Sequence, residues 1–187
     1  MPEYQKQLKR WKKFYDWCRP YIKGDRIALD IGCDTFGFAQ WLENDFKKIH
    51  CFDFRNRETH LKKANINNIS KFQYHNVGLG EKSDTRYTKS GVGRIKERGD
   101  IKVKIKTVDS FNFTNVDFIK LDVEGYETKI LQGSVKTIET CNPTIVVEQN
   151  KNDFTASDFL KDLGYKHVAT WYSLGKNKIP NDFMFVR

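Results

Sequence analysis

Apolar and polar positions along the chain switch repeatedly between two periods. Residues 3–19 place Tyr4, Leu8, Trp11, Tyr15 and Cys18 at helical spacing, with Lys6, Lys9, Arg10, Lys12 and Lys13 on the other faces. Pro20 ends that pattern. Short apolar runs then alternate with helical stretches. Arg26–Ile31 is the first run, and Phe38–Leu42 opens a helix. Lys48–Asp53 is the second run, residues 57–67 read as a helix, and Lys71–His75 is a third strand. Val116–Leu121 is a fourth and strongly apolar run, followed by a helix over Tyr126–Thr140 and a fifth run at Thr144–Glu148. Thr155-Ala156-Ser157-Asp158 reads as a capping box opening a helix to Leu163, with late strands at Lys166–Tyr172 and Phe183–Arg187.

Strand, helix and strand in succession mean βαβ units, and these build a mostly parallel sheet with helices on both faces. The length of 187 residues suits a single domain over 1–187, with a basic amphipathic helix at 1–22. One segment breaks the rhythm. Residues 83–100 are polar, glycine-containing and basic, and read as an inserted basic loop or hairpin. Residues 101–108 then alternate apolar and basic side chains, as a half-exposed strand does.

Composition narrows the classes. With 14 Phe, 8 Tyr and 4 Trp the chain is too aromatic to be disordered. No run of 18 apolar residues would span a membrane, and the first residues carry no apolar signal core, so the expected location is cytoplasmic. Lys and Arg number 33 against 24 Asp and Glu, a net charge of +9 that favours anionic partners: nucleic acid, phosphorylated metabolites, acidic glycans or a membrane surface. A well-solvated lysine-rich surface explains the same number equally well. The basic N-terminal helix has two readings, an aromatic stripe packed on the core or a lid over substrate, and packing is favoured. The four cysteines form no C-x-x-C and the four histidines no H-E-x-x-H, which leaves no dedicated zinc site.

In open α/β sheets ligands bind at the carboxyl ends of the strands. Those ends carry Asp30-Ile31-Gly32-Cys33-Asp34, Asp53, Asn76-Val77, Asp122-Val123-Glu124 and Glu148. Asp53 follows Gly32 by about 20 residues, the place where a carboxylate grips vicinal ribose hydroxyls. The turn between Gly32 and Gly37 carries Asp34 where a second glycine would let a pyrophosphate approach. An acidic residue there repels phosphate, which disfavours a nicotinamide dinucleotide and favours a nucleoside without phosphates. The alternative role for Asp30 and Asp34 is capping of the following helix.

Asp30-Ile31-Gly32-Cys33 with Gly37-Phe38 resembles motif I of class I S-adenosylmethionine-dependent methyltransferases. Phe118-Ile119-Lys120-Leu121-Asp122-Val123-Glu124-Gly125-Tyr126-Glu127 resembles the signature of the FkbM methyltransferase family. Asn76–Gly80, Thr107–Phe111 and Val146–Glu148 fall in that family's order. The resemblance covers about residues 25–187. It implies a Rossmann-like, mostly parallel seven-stranded sheet whose last strand is antiparallel. It also implies S-adenosylmethionine as cofactor and a sugar, glycan or other small-molecule hydroxyl as acceptor. Asp30, Gly32 and Cys33, in the turn that continues through Asp34 to Gly37, would lie against the methionine portion. Asp53 would hold the ribose, and Asn76 and Val77 would flank the adenine. Phe54 either stacks on the base or belongs to the core. Asp34 and Phe36 stand where such enzymes usually have glycines. Phe36 either narrows the cofactor site or points into the core.

A hydroxyl acceptor needs a base or a metal. Asp122 and Glu148 end neighbouring central strands and are the first candidates, as a general base or as oxygen ligands for Mg²⁺. Glu124 is the alternative base. Glu127 is assigned instead to the start of its helix, where it complements the dipole. Arg86, Lys89, Arg94, Lys96 and Arg98 are candidates for holding an anionic substrate, against a solvated loop. Two rivals stand beside the small-molecule enzyme. One is an RNA methyltransferase, motivated by the charge but lacking a late Glu and an Asn/Asp-Pro-Pro-aromatic block. The other is a decayed fold that acts as a binding module.

Overall fold

A computed structural model describes residues 3–89, 95, 98–149, 153–172 and 180–187. Its elements run α1 (Glu3–Cys18), β1 (Ile27–Ile31), α2 (Ala39–Leu42), β2 (Lys48–Phe52), α3 (Glu58–Lys63) and β3 (Phe72–His75). Then come β4 (Gly78–Leu79), β5 (Asp84–Thr88), β6 (Ile101–Lys106), β7 (Val116–Leu121), α4 (Glu127–Gln132) and α5 (Val135–Cys141). The chain closes with β8 (Thr144–Glu148), α6 (Thr155–Asp162), β9 (Lys166–Tyr172) and β10 (Pro180–Val186). The seven-stranded sheet has the order β3-β2-β1-β7-β8-β10-β9. The β1, β2, β3, β7 and β8 pairings are parallel, and β10 runs antiparallel to both β8 and β9. This is the mixed α/β sheet with an antiparallel last strand that the sequence led us to expect.

The central strands are apolar because both their faces are covered. Leu29, Ile31, Ile119, Leu121, Ile145 and Val147 face one cluster with Ile130, Ile138 and Leu160. Ala28, Phe118, Val146 and Met184 face the other with Phe14, Cys18, Phe38 and Leu42. The latter cluster decides the reading of α1. Phe14 packs 5.4 Å from Phe38 and 5.6 Å from Trp171, ring to ring, so the helix seats its aromatic stripe on the core. Among the described residues no helix is long and apolar enough to cross a membrane.

Several local expectations fail for identifiable reasons. The helix expected over 57–67 stops at Lys63 because Glu43 accepts the backbone N–H groups of Asn67 and Asn68, which holds that chain off the helix. The helix expected over Tyr126–Thr140 is two, broken at Gly133, where a Cβ would lie 2.1 Å from the Gly80 carbonyl oxygen. The capping box at Thr155 does not form. Asp153, two residues earlier, accepts the Thr155 N–H at 3.1 Å, and the Thr155 hydroxyl faces that of Thr128 at 2.8 Å. The last strand starts at Pro180 rather than Phe183. Within 83–100 the hairpin alternative fits the start of the segment: Asp84–Thr88 is a strand that pairs antiparallel with β6. With β4, too short to show a period, the two make a separate three-stranded sheet. Arg94 and Lys96 lie outside the described residues.

The parallel strands end together. The Asp122 N–H reaches the Ile31 carbonyl at 3.0 Å, and the Gly32 and Cys33 N–H groups share the Phe52 carbonyl at 2.9 and 3.1 Å. Gly32 sits at φ +87°, and a Cβ there would lie 1.8 Å from the Asp122 carbonyl oxygen. Gly32→Ala is therefore expected to lower unfolding free energy by at least about 3 kcal/mol, or to prevent folding, in a denaturant titration.

Candidate active site

Where β1, β7 and β8 end and antiparallel β10 begins, an ammonium lies inside the sheet. Lys120 is 1% exposed. Its Nζ is 2.8 Å from Asp122 Oδ2 and 3.8 Å from Asp30 Oδ1, beneath the rings of Trp11 and Phe38 at 5.3 and 5.6 Å. Asp30 neighbours Lys120 across the β1–β7 pairing, and Asp182 lies opposite Glu148 across β8–β10. Parallel strands thus supply Asp30, Lys120, Asp122 and Glu148, while the antiparallel strand brings Asp182 to the same end.

The charges compete. Burial works against the Lys120 ammonium, but Asp122, Asp30 and Asp182 outweigh it and hold its pKa above the usual lysine range. Burial pushes Asp30 up to about 6 against the pull of Lys120, and neither of its oxygens has a hydrogen-bond partner. Burial likewise raises Asp182 to about 6. Burial raises Asp122 too, but Lys120 and a hydrogen bond with Glu148 bring it below the usual value. Glu148, half-buried and facing the Asp122 charge, is pushed up to about 8, and Asn181 donates to its Oε1 at 3.0 Å. The Asp122–Glu148 pair therefore favours holding a proton, on the Glu148 side.

Two turns frame these groups. Asp34, Phe36 and Glu124 all adopt positive φ (39°, 61° and 60°), strained for residues other than glycine. Phe36 is fully buried and packs edge-on to Tyr74 at 5.7 Å, so it points into the core and leaves the turn's inner side open. A Cβ at Gly37 would meet the Trp11 ring at 2.6 Å. Helix α1 thus lies directly on the turn. Glu127 accepts the N–H groups of Val123 and Gly125 at 3.2 and 3.1 Å and braces the turn after β7, a more specific task than complementing a dipole.

Two cavities meet over the strand ends. The larger, about 630 Å³, is bounded by Asp30, Gly32, Cys33, Asp34, Gly37, Asp122, Glu124 and Glu148, and roofed by Arg10 and Trp11. The smaller, about 50 Å³ and mainly apolar, lies between Asp53, Phe54, Val77, Leu79, Ile95 and Tyr126. The structure therefore gathers all three candidate catalytic carboxylates and eight of the nine candidate cofactor residues around the paired cavities. Asn76 is the one set apart. Its amide donates to the carbonyls of Asp53 and Phe54 at 3.1 and 3.0 Å, so it braces the loop. The Cys33 thiol is free and hydrogen-bonded to the Cys51 thiol, and burial pushes its pKa well above the usual range, so it packs rather than reacts.

Sequence reasoning missed Lys120 and Asp182. A lysine inside an apolar strand was a signal for the first. Nothing local marks Asp182, which matters because β10 is antiparallel. Arg55 was also missed. It bonds both oxygens of Asp53, at 3.1 and 3.0 Å, and Arg57 ties Asp53 to Asp34. Of the candidates for an anionic substrate, Arg86 pairs with Asp84 at 3.1 Å and Glu81 at 3.5 Å. Among the described residues no group of three or more His, Cys, Asp or Glu is arranged to hold a metal ion. Between Asp30 and Asp122, Lys120 already supplies the positive charge a cation would bring.

A family model for the methyltransferase FkbM domain matches residues 42–167. Curated proteins yield no match. Among solved structures, a methyltransferase FkbM from Methylobacillus flagellatus aligns at TM-score 0.58 and 16% identity, over 86% of this chain and 43% of that one. The chain thus spans less than half the length of that protein. An rRNA methylase from Streptococcus thermophilus aligns at 0.55 and 13%, over 94% of each chain. The magnesium protoporphyrin IX methyltransferase from Synechocystis, with S-adenosylmethionine bound, aligns at 0.58 and 10%, over 100% of this chain and 85% of that one. At these identities the likeness is one of fold.

The raised carboxylates fix how stability depends on pH. Asp30, Asp182 and Glu148 all have native pKa values above their ordinary ones, so the native state holds more protons than the unfolded chain. Their stabilising contribution is complete below pH of about 4, and is lost as pH rises through about 6 for the aspartates and about 8 for Glu148. Burial lowers His50 to about 4 and also lowers His75, which opposes the aspartates below about pH 6.5, so the fall in unfolding free energy is expected between pH 7 and 9, from Glu148. Glu148→Gln should flatten that fall in denaturant titrations across this range.

Proposed function

The chain belongs to the FkbM methyltransferase family, and on that premise we propose that it transfers a methyl group from S-adenosylmethionine to a hydroxyl oxygen of a sugar or other small molecule. We take 1–187 as one such domain.

The observation that carries this reading is Asp30. Its carboxylate is 1% exposed, both its oxygens lack hydrogen-bond partners, and it borders the larger cavity. Around that cavity Asp30, Asp34, Asp122 and Glu124 outnumber the cations Arg10, Arg55 and Lys120 even with Glu148 protonated. Such a surplus favours a donor bearing ammonium and sulfonium charge over one bearing phosphates. Asp30 offers acceptors for the ammonium, and the pocket beside Phe54 and Val77 suits an apolar base. Asp53 has two oxygens for ribose hydroxyls once they exchange with its arginine partner.

Bound there, S-adenosylmethionine supplies an electrophilic methyl group and a neutral thioether leaving group. The protein's task is then to align the acceptor and take its proton. Raised to about 8, Glu148 is in its ionised form a stronger base than an ordinary carboxylate. Asp122 and Asn181 hold it in place, and Trp11 roofs the site against water.

S-adenosylhomocysteine is expected to bind with micromolar affinity by calorimetry, and Asp53→Ala to weaken it at least about tenfold. Absence of binding would favour the binding-module reading. In methyl transfer to a panel of sugars and small alcohols, the base must be ionised, so the rate should rise with pH through about 8. Glu148→Gln should abolish that rise. Transfer to RNA instead of small hydroxyls would replace the acceptor class.

A further inference from the structure

The two cavities share a wall of Gly32, Arg55, Asp122 and Glu124. Arg55 lines both of them, its guanidinium lying 5.6 Å from the centre of the Phe54 ring. A nucleoside whose base enters the apolar pocket and whose 5′ chain enters the larger cavity must pass its ribose through that place. The ribose partner there is already engaged. Asp53, its side chain 2% exposed, accepts from Arg55 Nε at 3.1 Å, Arg55 Nη2 at 3.0 Å and the Arg55 backbone N–H at 2.8 Å.

We propose that Arg55 sets the affinity for the nucleoside donor: its guanidinium holds the two Asp53 oxygens in place of the ribose hydroxyls, and the nucleoside binds by exchanging with it. This rests on the reading that a nucleoside binds across the two cavities.

Three observations support the exchange. A fork of two N–H donors and a pair of vicinal hydroxyls present the same number of donors to the same two oxygens, so Asp53 stays satisfied in either state. Arg57 stays behind. It is only 14% exposed, is anchored on Asp34 and reaches Asp53 Oδ2 at 3.4 Å, so the buried carboxylate keeps a counter-charge when Arg55 leaves. Arg55 is 40% exposed and touches Asp34 only at 3.5 Å, so its release leaves no charge stranded in the interior. The exchange trades an ion pair for hydrogen bonds from neutral hydroxyls to the same carboxylate, and that difference is subtracted from the binding of every ribose-bearing ligand.

The test is calorimetric titration of the whole chain and its Arg55→Gln and Arg57→Gln variants with S-adenosylhomocysteine, adenosine and homocysteine. Thermal unfolding confirms that each variant is folded. Arg55→Gln should tighten S-adenosylhomocysteine and adenosine alike, by about tenfold. It should leave homocysteine, which has no ribose, unchanged, and Arg57→Gln should tighten neither nucleoside. Tightening of S-adenosylhomocysteine without adenosine would overturn the proposal, because a diffuse charge effect would then suffice. Weakening of both by Arg55→Gln would also overturn it, by making Arg55 a direct contact. If no nucleoside binds to any of the three proteins, the cofactor reading itself fails. If adenosine binds equally to all three, that reading survives and the exchange alone fails.

Discussion

A lysine ammonium buried in a parallel sheet must be paired, because transferring an ion out of water costs several kcal/mol even after the protein relaxes. Lys120 meets that constraint with Asp122 and Asp30, and the consequences spread along the strand ends. Asp30 stays inside without a hydrogen-bond partner of its own. Asp122 is held ionised, which leaves Glu148 to carry the proton the pair retains. Asp182 adds a further carboxylate from the antiparallel strand. Trp11 and Phe38 close the ammonium off from above, which gives α1 a functional place as well as a packing one.

The charge of the whole chain and the charge of the cavity have opposite signs. The net charge is +9, yet carboxylates outnumber cations at the strand ends. A surface field guides encounters over about a Debye length, but binding is decided by the few groups that lose their water. The lysines of β6 illustrate the separation. Lys102 and Lys104 are exposed while Val103 and Ile105 between them are buried, so the basic positions face solvent on a separate small sheet.

The turns show how closely the site is held. Gly32 allows β1 and β7 to end in contact, and Gly37 allows Trp11 to lie on the loop. Asp34, Phe36 and Glu124 adopt positive φ without being glycine, and each conformation is held by its surroundings. Phe36 is fixed by the core against Tyr74, and Asp34 by Arg57. The turn that looked anomalous beside glycine-rich ones is thus built by packing and ion pairs rather than by chain flexibility.

Alternation of apolar runs with helical stretches determined the sheet and its layers, because the periods of strand and helix are local properties of the chain. Strand ends marked Asp30, Gly32, Asp53, Asp122 and Glu148, because in a parallel sheet those ends converge. Helix limits were less legible. Glu43 stops one helix from 24 residues away, and Gly80 breaks another through a backbone contact. Neither contact leaves a trace in the local pattern. Tertiary structure alone decided the protonation and occupancy of the site. The strand direction of β10 brings Asp182 to Glu148, and burial sets the competition among the carboxylates for Lys120. The fold of the loop after β2 lays Arg55 on Asp53. Each is a matter of distance and dielectric between residues remote in sequence or turned back on one another, and such quantities exist only once the chain is folded.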